Sequence, residues 1–247
     1  MTIAEAFQHL NDAYGINLSI VYDPFDRERF VYGLLTTIML SLVSMALSVV
    51  IGLVGAWILG GRSRLLKAAT TGFVEAFRNT PPLIQLLFFF FAVSPLFPGA
   101  VNSAGQVTPL IGGIGWAIIS LSLYAGALNV EIFRSGLEAV PSATREAAES
   151  LGYTRLQAFR QIVFPLAFRI SLSALNNNMV NLIKTTTLAY AIGVPELLYA
   201  SASIWTEDLN VREMMLVMLV TYLLLVAGYT GTMNRVERAL RMPGTDV

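Results

Sequence analysis

The chain has 247 residues, of which 55% are hydrophobic and only 13% are charged. Soluble domains carry about 25% charged residues, so the composition predicts a membrane protein. The formal net charge is zero, and without a basic excess nucleic acid is not expected as a partner. The chain has no cysteine and a single histidine, His9, which excludes disulfides, thiolate chemistry and catalytic or zinc sites built on several histidines.

Five apolar segments are long enough to cross a bilayer, for which about 20 residues suffice. We therefore predict an all-α integral membrane protein with a membrane domain at 30–241. Its spans are expected at about 30–60, 73–95, 110–133, 167–205 and 214–233. The segment 1–29 lacks the pattern of a secretory signal and is expected to be external or interfacial, and 242–247 forms a C-terminal tail.

Small residues recur at every fourth position of the first span. They are Ser44, Ser48, Gly52, Ala56 and Gly60. Small side chains at this spacing let membrane helices approach closely, so we expect this stripe to pack within the bundle.

The distribution of basic residues predicts the orientation of the chain. If the hydrophilic loop 134–169 is cytoplasmic, twelve basic residues lie inside: Arg62, Arg64, Lys67, Arg78, Arg134, Arg145, Arg155, Arg160, Arg169, Arg235, Arg238 and Arg241. Only three, Arg27, Arg29 and Arg212, lie outside, and Lys184 falls within a span. This asymmetry follows the positive-inside rule and predicts an external N-terminus and a cytoplasmic C-terminus.

The hydrophilic loop has local signals for two short helices. Ser142 is placed to cap a helix over about 142–151, and Gly152 follows where helices often end in a left-handed residue. Thr154 and Gln157 fit a capping box for a second helix, which Pro165 is expected to end or bend. The loop is therefore expected to hold two helices with a corner at Gly152.

This loop also carries a family resemblance. The residues Glu146-Ala147-Ala148, then Gly152, then Ile162-Val163-Phe164-Pro165 resemble the cytoplasmic signature loop of ABC importer permeases, with Phe164 where leucine is usual. The resemblance implies the type I ABC importer permease fold, whose coupling helix docks on an ATPase subunit. The coupling residues that it implies are Glu146, Ala147, Ala148, Leu151, Gly152 and Pro165. The alternative is a solvated amphipathic linker.

Three further segments resemble permeases for polar amino acids. The first contains Glu75, Arg78, Thr80, Pro81, Leu83 and Gln85; the second contains Glu131, Arg134 and Gly136; the third contains Asn177, Asn181, Lys184, Thr186 and Leu188. Thr185 stands where the family has aspartate, which removes a possible partner of Lys184. The implied pathway residues are Arg78, Thr80, Pro81, Gln85, Glu131, Asn177, Asn181, Lys184 and Thr186. Lys184 is either part of the pathway or a structural polar clasp, and the prolines alone are also consistent with a simple kink.

The chain lacks the phosphate-binding pattern GxxxxGK[ST], so ATP hydrolysis must be carried out by another subunit. The resemblance implies a permease subunit, not an enzyme, that moves polar or charged amino acids through the inner membrane of a bacterium. The implied partners are two ATPase subunits that bind ATP and Mg, a second permease chain (identical or homologous, a heterodimer being favoured), an extracytoplasmic amino-acid-binding protein and the lipid bilayer. The alternatives are a secondary carrier and a scaffold subunit that does not bind the solute.

Overall fold

A computed structural model describes residues 2–101 and 107–240. Its α-helices are α1 (Ile3–Tyr14), α2 (Ser19–Tyr22), α3 (Pro24–Gly60), α4 (Arg64–Asn79), α5 (Pro82–Leu87), α6 (Gly113–Glu138), α7 (Ser142–Ser150), α8 (Arg155–Ala158), α9 (Phe164–Thr185), α10 (Leu197–Asp208) and α11 (Val211–Leu240). π-Helical turns cover Phe88–Val93 and Phe159–Val163, and 3₁₀ segments cover Ser94–Leu96 and Thr186–Ile192. Arg241, the predicted tail 242–247 and residues 102–106, which fall between the second and third predicted spans, lie outside the described residues.

The fold class is that of an all-α membrane protein. Among the described residues, four helical segments are long and apolar enough to cross a membrane: Pro24–Gly60, Gly113–Glu138, Arg155–Ile192 and Val211–Ala239. A bent pair, Arg64–Asn79 with Pro82–Leu96, provides a fifth if it is counted as one span. The described β-structure is a small antiparallel hairpin, β1 (Gly99–Val101) with β2 (Val107–Pro109), in which Gly99 pairs with Pro109.

The bounds of several predicted segments differ from those observed. Helix α3 begins at Pro24 rather than near residue 30, because the charged residues around Arg27 belong to its first turns. The predicted loop 134–169 is mostly helical, with non-helical residues only at 139–141 and 151–154. The last predicted span, 214–233, extends to Val211–Leu240. Flanking charged residues continue helices beyond their apolar windows, so hydropathy alone underestimates helix length.

The predicted span at 167–205 is not one helix. The α-helical turns of α9 end at Thr185 and 3₁₀ turns continue to Ile192, where Gly193 ends them with φ of +72°. Helix α10 then starts separately, and Glu196 caps its N-terminus by accepting hydrogen bonds from the amides of Leu198 and Tyr199, both at 2.9 Å. Glycine adopts a positive φ without steric cost, which explains the break at this position.

In the signature loop, the predicted cap at Ser142 was wrong, and of the two expectations for Pro165, an end or a bend, the structure excludes the end. Ser142 does not cap α7; Pro141 occupies the N-cap position without a side-chain hydrogen bond, and Ser142 is the first helical residue. Pro165 does not end a helix, because the helical chain continues through it in α9. The wide π-helical turn at Phe159–Val163 directly precedes this proline, and it accommodates a ring that would clash with a regular preceding turn.

Within the described residues the chain forms two compact units. The first comprises 2–44, 82–121 and 183–227, and the second comprises 45–81, 122–182 and 228–240. The core of the first unit is a cluster of buried apolar side chains: Leu40, Leu86, Ala117, Ala189, Ile192 and Val194. A smaller cluster in the second unit contains Val140, Val163 and Ala167, next to the signature loop.

Close contact between α3 and α6 in the second unit confirms part of the predicted small-residue stripe. A Cβ atom at Gly52 would lie 2.5 Å from the Cβ of Asn129, a distance that real side chains do not reach. Ser48 and Ala56 on the same stripe are buried, whereas nothing lies within 4 Å of a Cβ built at Gly60. The stripe therefore packs along its middle and ends before Gly60.

Candidate functional site

The corner after α7 is a regular helix-ending motif that depends on Gly152. The amide of Tyr153 donates to the carbonyl of Ala148 at 3.2 Å, and the amide of Gly152 donates to the carbonyl of Glu149 at 3.0 Å. This pair of bonds is the Schellman pattern, in which the residue just after the helix, here Gly152, adopts a left-handed conformation. Gly152 has φ of +89°, and nothing lies within 4 Å of a Cβ atom built there. The constraint at this position is therefore backbone conformation, not space.

The signature residues on α7 divide into exposed and buried positions. Glu146 and Ala147 are exposed, whereas Ala148 is 2% exposed and packs against the rest of the chain. Leu151, at the corner, is 78% exposed. The corner thus presents one large apolar side chain beside small and charged residues, all of them open to a partner.

The predicted capping box is present at the start of α8. The amide of Gln157 donates to Oγ1 of Thr154 at 3.4 Å, and the amide of Thr154 donates to Oε1 of Gln157 at 2.9 Å. These reciprocal bonds fix the direction in which the chain leaves the corner. Pro165, the last implied coupling residue, is half-buried in α9 beyond the π-helical turn.

Arg78 and Glu131, two of the pathway residues, are brought together in the second unit. A guanidinium nitrogen of Arg78 lies 3.8 Å from the Glu131 carboxylate, which also binds Arg134 at 2.7 Å. Arg134 in turn binds Glu138 at 2.7 Å. Glu131 is thus shared between two arginines that come from α4 and α6, and the side chains of all three are partly exposed. Such a group can exchange its partners for the charged groups of a ligand.

Two more predicted residues, Thr80 and Pro81, lie at the break between α4 and α5, and Gln85 follows on α5. Thr80 ends α4 as its C-cap residue, and its Oγ1 donates to the carbonyl of Ala76 at 2.7 Å. Pro81 separates the two helices, in agreement with its inability to donate a helical hydrogen bond. Gln85, in the first unit, is buried on α5.

The polar face of α9 is only partly covered by this chain. In the second unit, Asn177 is exposed and Asn181 is half-buried, with its amide 3.5 Å from the hydroxyl of Tyr124. In the first unit, Lys184 is exposed, whereas Thr186 is fully buried and donates to the carbonyl of Ile183 at 2.7 Å. The exposed positions are available to a partner or solute, and Thr186 has a structural contact.

The sequence analysis missed a buried chain of amides in the second unit. The Nδ2 group of Asn178 donates to Oδ1 of Asn129 at 2.7 Å and to the carbonyl of Ala125 at 3.0 Å. Asn129 donates to Oγ of Ser48 at 3.1 Å, and Ser48 donates to the carbonyl of Met45 at 2.8 Å. This chain, from Asn178 to Ser48, joins α9, α6 and α3. The available signal was Asn129 itself, a polar amide within the predicted span 110–133.

The sequence analysis also missed the burial of Glu196. Its side chain is fully buried in the first unit, and the hydroxyl of Tyr222 lies 3.5 Å from its carboxylate. Burial raises the pKa of Glu196 to about 7, although the hydrogen bonds from the two backbone amides oppose the shift. The role of Glu196 is to cap α10 inside the fold.

Comparison with known proteins agrees with this architecture. Residues 48–242 match the family described as binding-protein-dependent transport system inner membrane component. The probable amino-acid permease protein YxeN of Bacillus subtilis is 30% identical over 207 residues, which cover 84% of this chain and 89% of YxeN. The histidine/lysine/arginine/ornithine transport system permease protein HisQ of Escherichia coli is 32% identical over 173 residues, covering 68% of this chain and 74% of HisQ.

A solved structure also matches the fold. The crystal structure of an amino acid ABC transporter with histidines contains a chain that superposes with a TM-score of 0.75 and 24% sequence identity. The match covers 86% of this chain and 94% of that chain.

Proposed function

The chain belongs to the family of inner membrane components of binding-protein-dependent transport systems, and we propose that it moves polar or charged amino acids into the cytoplasm. It is a multi-pass inner membrane protein and the permease subunit of an ABC importer, whose ATPase activity belongs to separate subunits. The amino-acid substrate is supported by the similarity to YxeN and to HisQ, which is named for histidine, lysine, arginine and ornithine.

The corner at Gly152 is the observation that best supports coupling to an ATPase. Helix α7 ends in a fixed motif, with Leu151 78% exposed and Ala147 exposed beside it. The capping box of α8 and the continuous helical path into α9 connect this surface to the membrane. A movement imposed on α7 would therefore reach α9 through short, hydrogen-bonded turns, as alternating access by rigid elements requires. Glu146, Ala147, Ala148, Leu151, Gly152 and Pro165 belong to this coupling path in our proposal.

The proposed partners follow from the same interpretation of the chain as an ABC importer permease. Two ATPase subunits would bind ATP and Mg and contact α7. A second permease chain would complete the bundle of membrane helices, and an external binding protein would deliver the solute. The excess of arginine and lysine near the signature loop supports a cytoplasmic position for this loop, with the N-terminus outside and the C-terminus inside.

The solute pathway is proposed to include the shared carboxylate of Glu131. An amino acid offers an ammonium group that can pair with Glu131 and a carboxylate that can pair with Arg78. Asn177 and Asn181 add uncharged donors and acceptors on the uncovered face of α9. The pairing of Glu131 with Arg78 at 3.8 Å is loose enough to be replaced by a ligand.

Site-specific crosslinking tests the coupling proposal. The chain has no cysteine, so single cysteines can be placed at Leu151, Ala147 and Ala148 without a background reaction. In native membranes, Leu151→Cys and Ala147→Cys should form an adduct that mass spectrometry identifies as an ATPase subunit. Ala148→Cys is the matched control, because a side chain that is 2% exposed should not react. Adducts with lipid or with the same chain alone, from both exposed positions, would contradict the proposal.

A further inference from the structure

Three adjoining cavities lie in the second unit, between the end of α3, the end of α6 and the signature loop. Their volumes are about 900, 470 and 150 Å³. All three are lined by Ala56, Leu137 and Phe159, so they adjoin one another around these side chains, and together we call them the α3–α7 cavity. Its lining changes from charged at one end to aromatic at the other.

At the charged end, basic side chains outnumber acidic ones. It is lined by Arg134, Arg145 and Arg155 and by two acids, Glu138 and Glu149. Arg134 is paired with Glu138 at 2.7 Å, and Arg155 lies 3.8 Å from Glu149. Arg145 makes no ion pair within residues 2–101 and 107–240.

A further arginine lines the neighbouring part of about 470 Å³. It is Arg62, and its side chain is exposed. In the described part of the chain it has no ion-pair partner either. The charge available to a ligand is therefore cationic and comes from two elements, the turn after α3 and helix α7.

The opposite end of the cavity is apolar. It is lined by Leu53, Trp57, Phe133, Phe164 and Phe168, and the rings of Phe133 and Phe168 are stacked with centroids 6.3 Å apart. Trp57 lies one turn before the end of α3 and is 73% exposed, a placement typical of tryptophan at a membrane interface. The aromatic end is therefore placed at the membrane interface.

We propose that the α3–α7 cavity binds one anionic phospholipid, with its headgroup at the basic end to which Arg145 and Arg62 contribute and the first methylenes of an acyl chain at the aromatic end. A basic pocket that opens beside membrane-spanning helices is suited to anionic headgroups, and arginine binds phosphate with directed hydrogen bonds. A soluble anion would leave the apolar end unfilled. A zwitterionic lipid would bring a cation close to the two arginines.

The lipid would lie behind the surface that the ATPase subunit covers. Ser142, Arg145 and Glu149, which line the cavity, are spaced i, i+3 and i+7 and share one face of α7. Ala147 and Leu151 lie away from this face. The link between lipid and coupling rests on the proposed function, but lipid binding itself does not.

Lipid retention tests the proposal on the full chain in complex with its partners. The complex is reconstituted in nanodiscs of phosphatidylglycerol or phosphatidylcholine, and native mass spectrometry counts the lipids that stay bound after release. We expect one phosphatidylglycerol retained per copy of this chain beyond the number of phosphatidylcholine molecules. Arg62→Gln with Arg145→Gln should reduce this retention at least about tenfold, because two charge-assisted contacts are lost. Arg160→Gln, an exposed arginine of the same loop that does not line the cavity, should leave it unchanged.

A second variant tests whether the lipid occupies the cavity itself. Ala56 is 4% exposed and lines all three parts of the cavity, so Ala56→Phe should displace the lipid. Equal retention of both lipids, or an equal loss with Arg160→Gln, would overturn the proposal. Competition by inorganic phosphate would also overturn it, since the basic end would then be a site for a free anion. An ATPase subunit crosslinked from Ser142→Cys would show that protein fills the space.

Discussion

Asn178 donates a hydrogen bond of 2.7 Å to Asn129, and both side chains are buried between α9 and α6 of the second unit. The bond continues through Ser48 into α3, so three helices share one chain of polar contacts. Buried amides in a membrane bundle are costly unless each donor has an acceptor, and here both hydrogens of the Asn178 amide are used. This chain fixes the helices to which the signature loop is attached.

Replacing either asparagine by alanine should destabilise the protein. Asn178→Ala or Asn129→Ala should lower the free energy of unfolding by about 1 kcal/mol, the scale of hydrogen bonds between membrane helices. Unfolding in detergent measures the change, and the double variant should lose less than the sum of the two. Asn177→Ala is the control, because Asn177 is the exposed neighbour on the same helix. Equal losses from Asn177→Ala and Asn178→Ala would refute this role.

Gly152→Ala should destabilise the corner after α7 by about 1–2 kcal/mol, the cost of a left-handed conformation for a residue with a Cβ atom. Gly72→Ala is a matched control, since Gly72 also has nothing within 4 Å but lies inside α4 at an ordinary φ. That change should be neutral or stabilising, by up to about 1 kcal/mol. Thermal unfolding measures both effects.

The same position should control transport. Gly152→Leu and Gly152→Pro should abolish uptake into membrane vesicles while the chain stays in the membrane, because both distort the corner. Normal uptake by both variants would exclude coupling through this corner.

Glu131→Gln tests the proposed pathway. Loss of the carboxylate removes the partner of both Arg78 and a substrate ammonium group, so KM for amino-acid uptake should rise by about tenfold or more. Glu75→Gln is the control, because Glu75 is exposed one turn from Arg78 and forms no ion pair within the described residues. A reduced protein level with an unchanged KM would assign Glu131 a structural role only.

Glu196 should make stability depend on pH. Burial raises its pKa in the folded protein from 4.5 to about 7, so the folded state holds the proton over a range in which the unfolded state loses it. Stability should therefore fall as pH rises from 4.5 to about 7, by roughly 3 kcal/mol for this group. Glu196→Gln should remove this part of the pH profile, whereas Glu28→Gln, an exposed glutamate, should not. Identical profiles for the wild type and Glu196→Gln would contradict the assignment.

The sequence predicted the features that depend on neighbouring residues. Gly152 and the capping box of Thr154 and Gln157 were correctly placed, because helix ends are determined by a few adjacent side chains. The membrane character and the close packing at Gly52 also follow from local composition and spacing.

Features that depend on contacts distant in sequence were not predictable in the same way. Helical periodicity places Asn177 and Asn178 on adjacent faces, but it does not show which face another helix covers. The break at Gly193 had local signals in Gly193 and Pro195, yet the apolar run around them suggested one continuous span. The passage of a helix through Pro165 depends on the π-helical turn before it.

Ala147 and Ala148 are adjacent in the signature but differ in burial, so their side-chain sizes are constrained in different ways. The size of residue 148 is constrained by this chain alone, because its side chain is 2% exposed. Residue 147 faces outward, so in our proposal its size is constrained by the ATPase subunit that covers it. Larger residues at 148 should therefore be harmful even in an isolated subunit, whereas those at 147 should be harmful only after assembly. A library of substitutions at these two adjacent positions would distinguish defects of folding from defects of assembly.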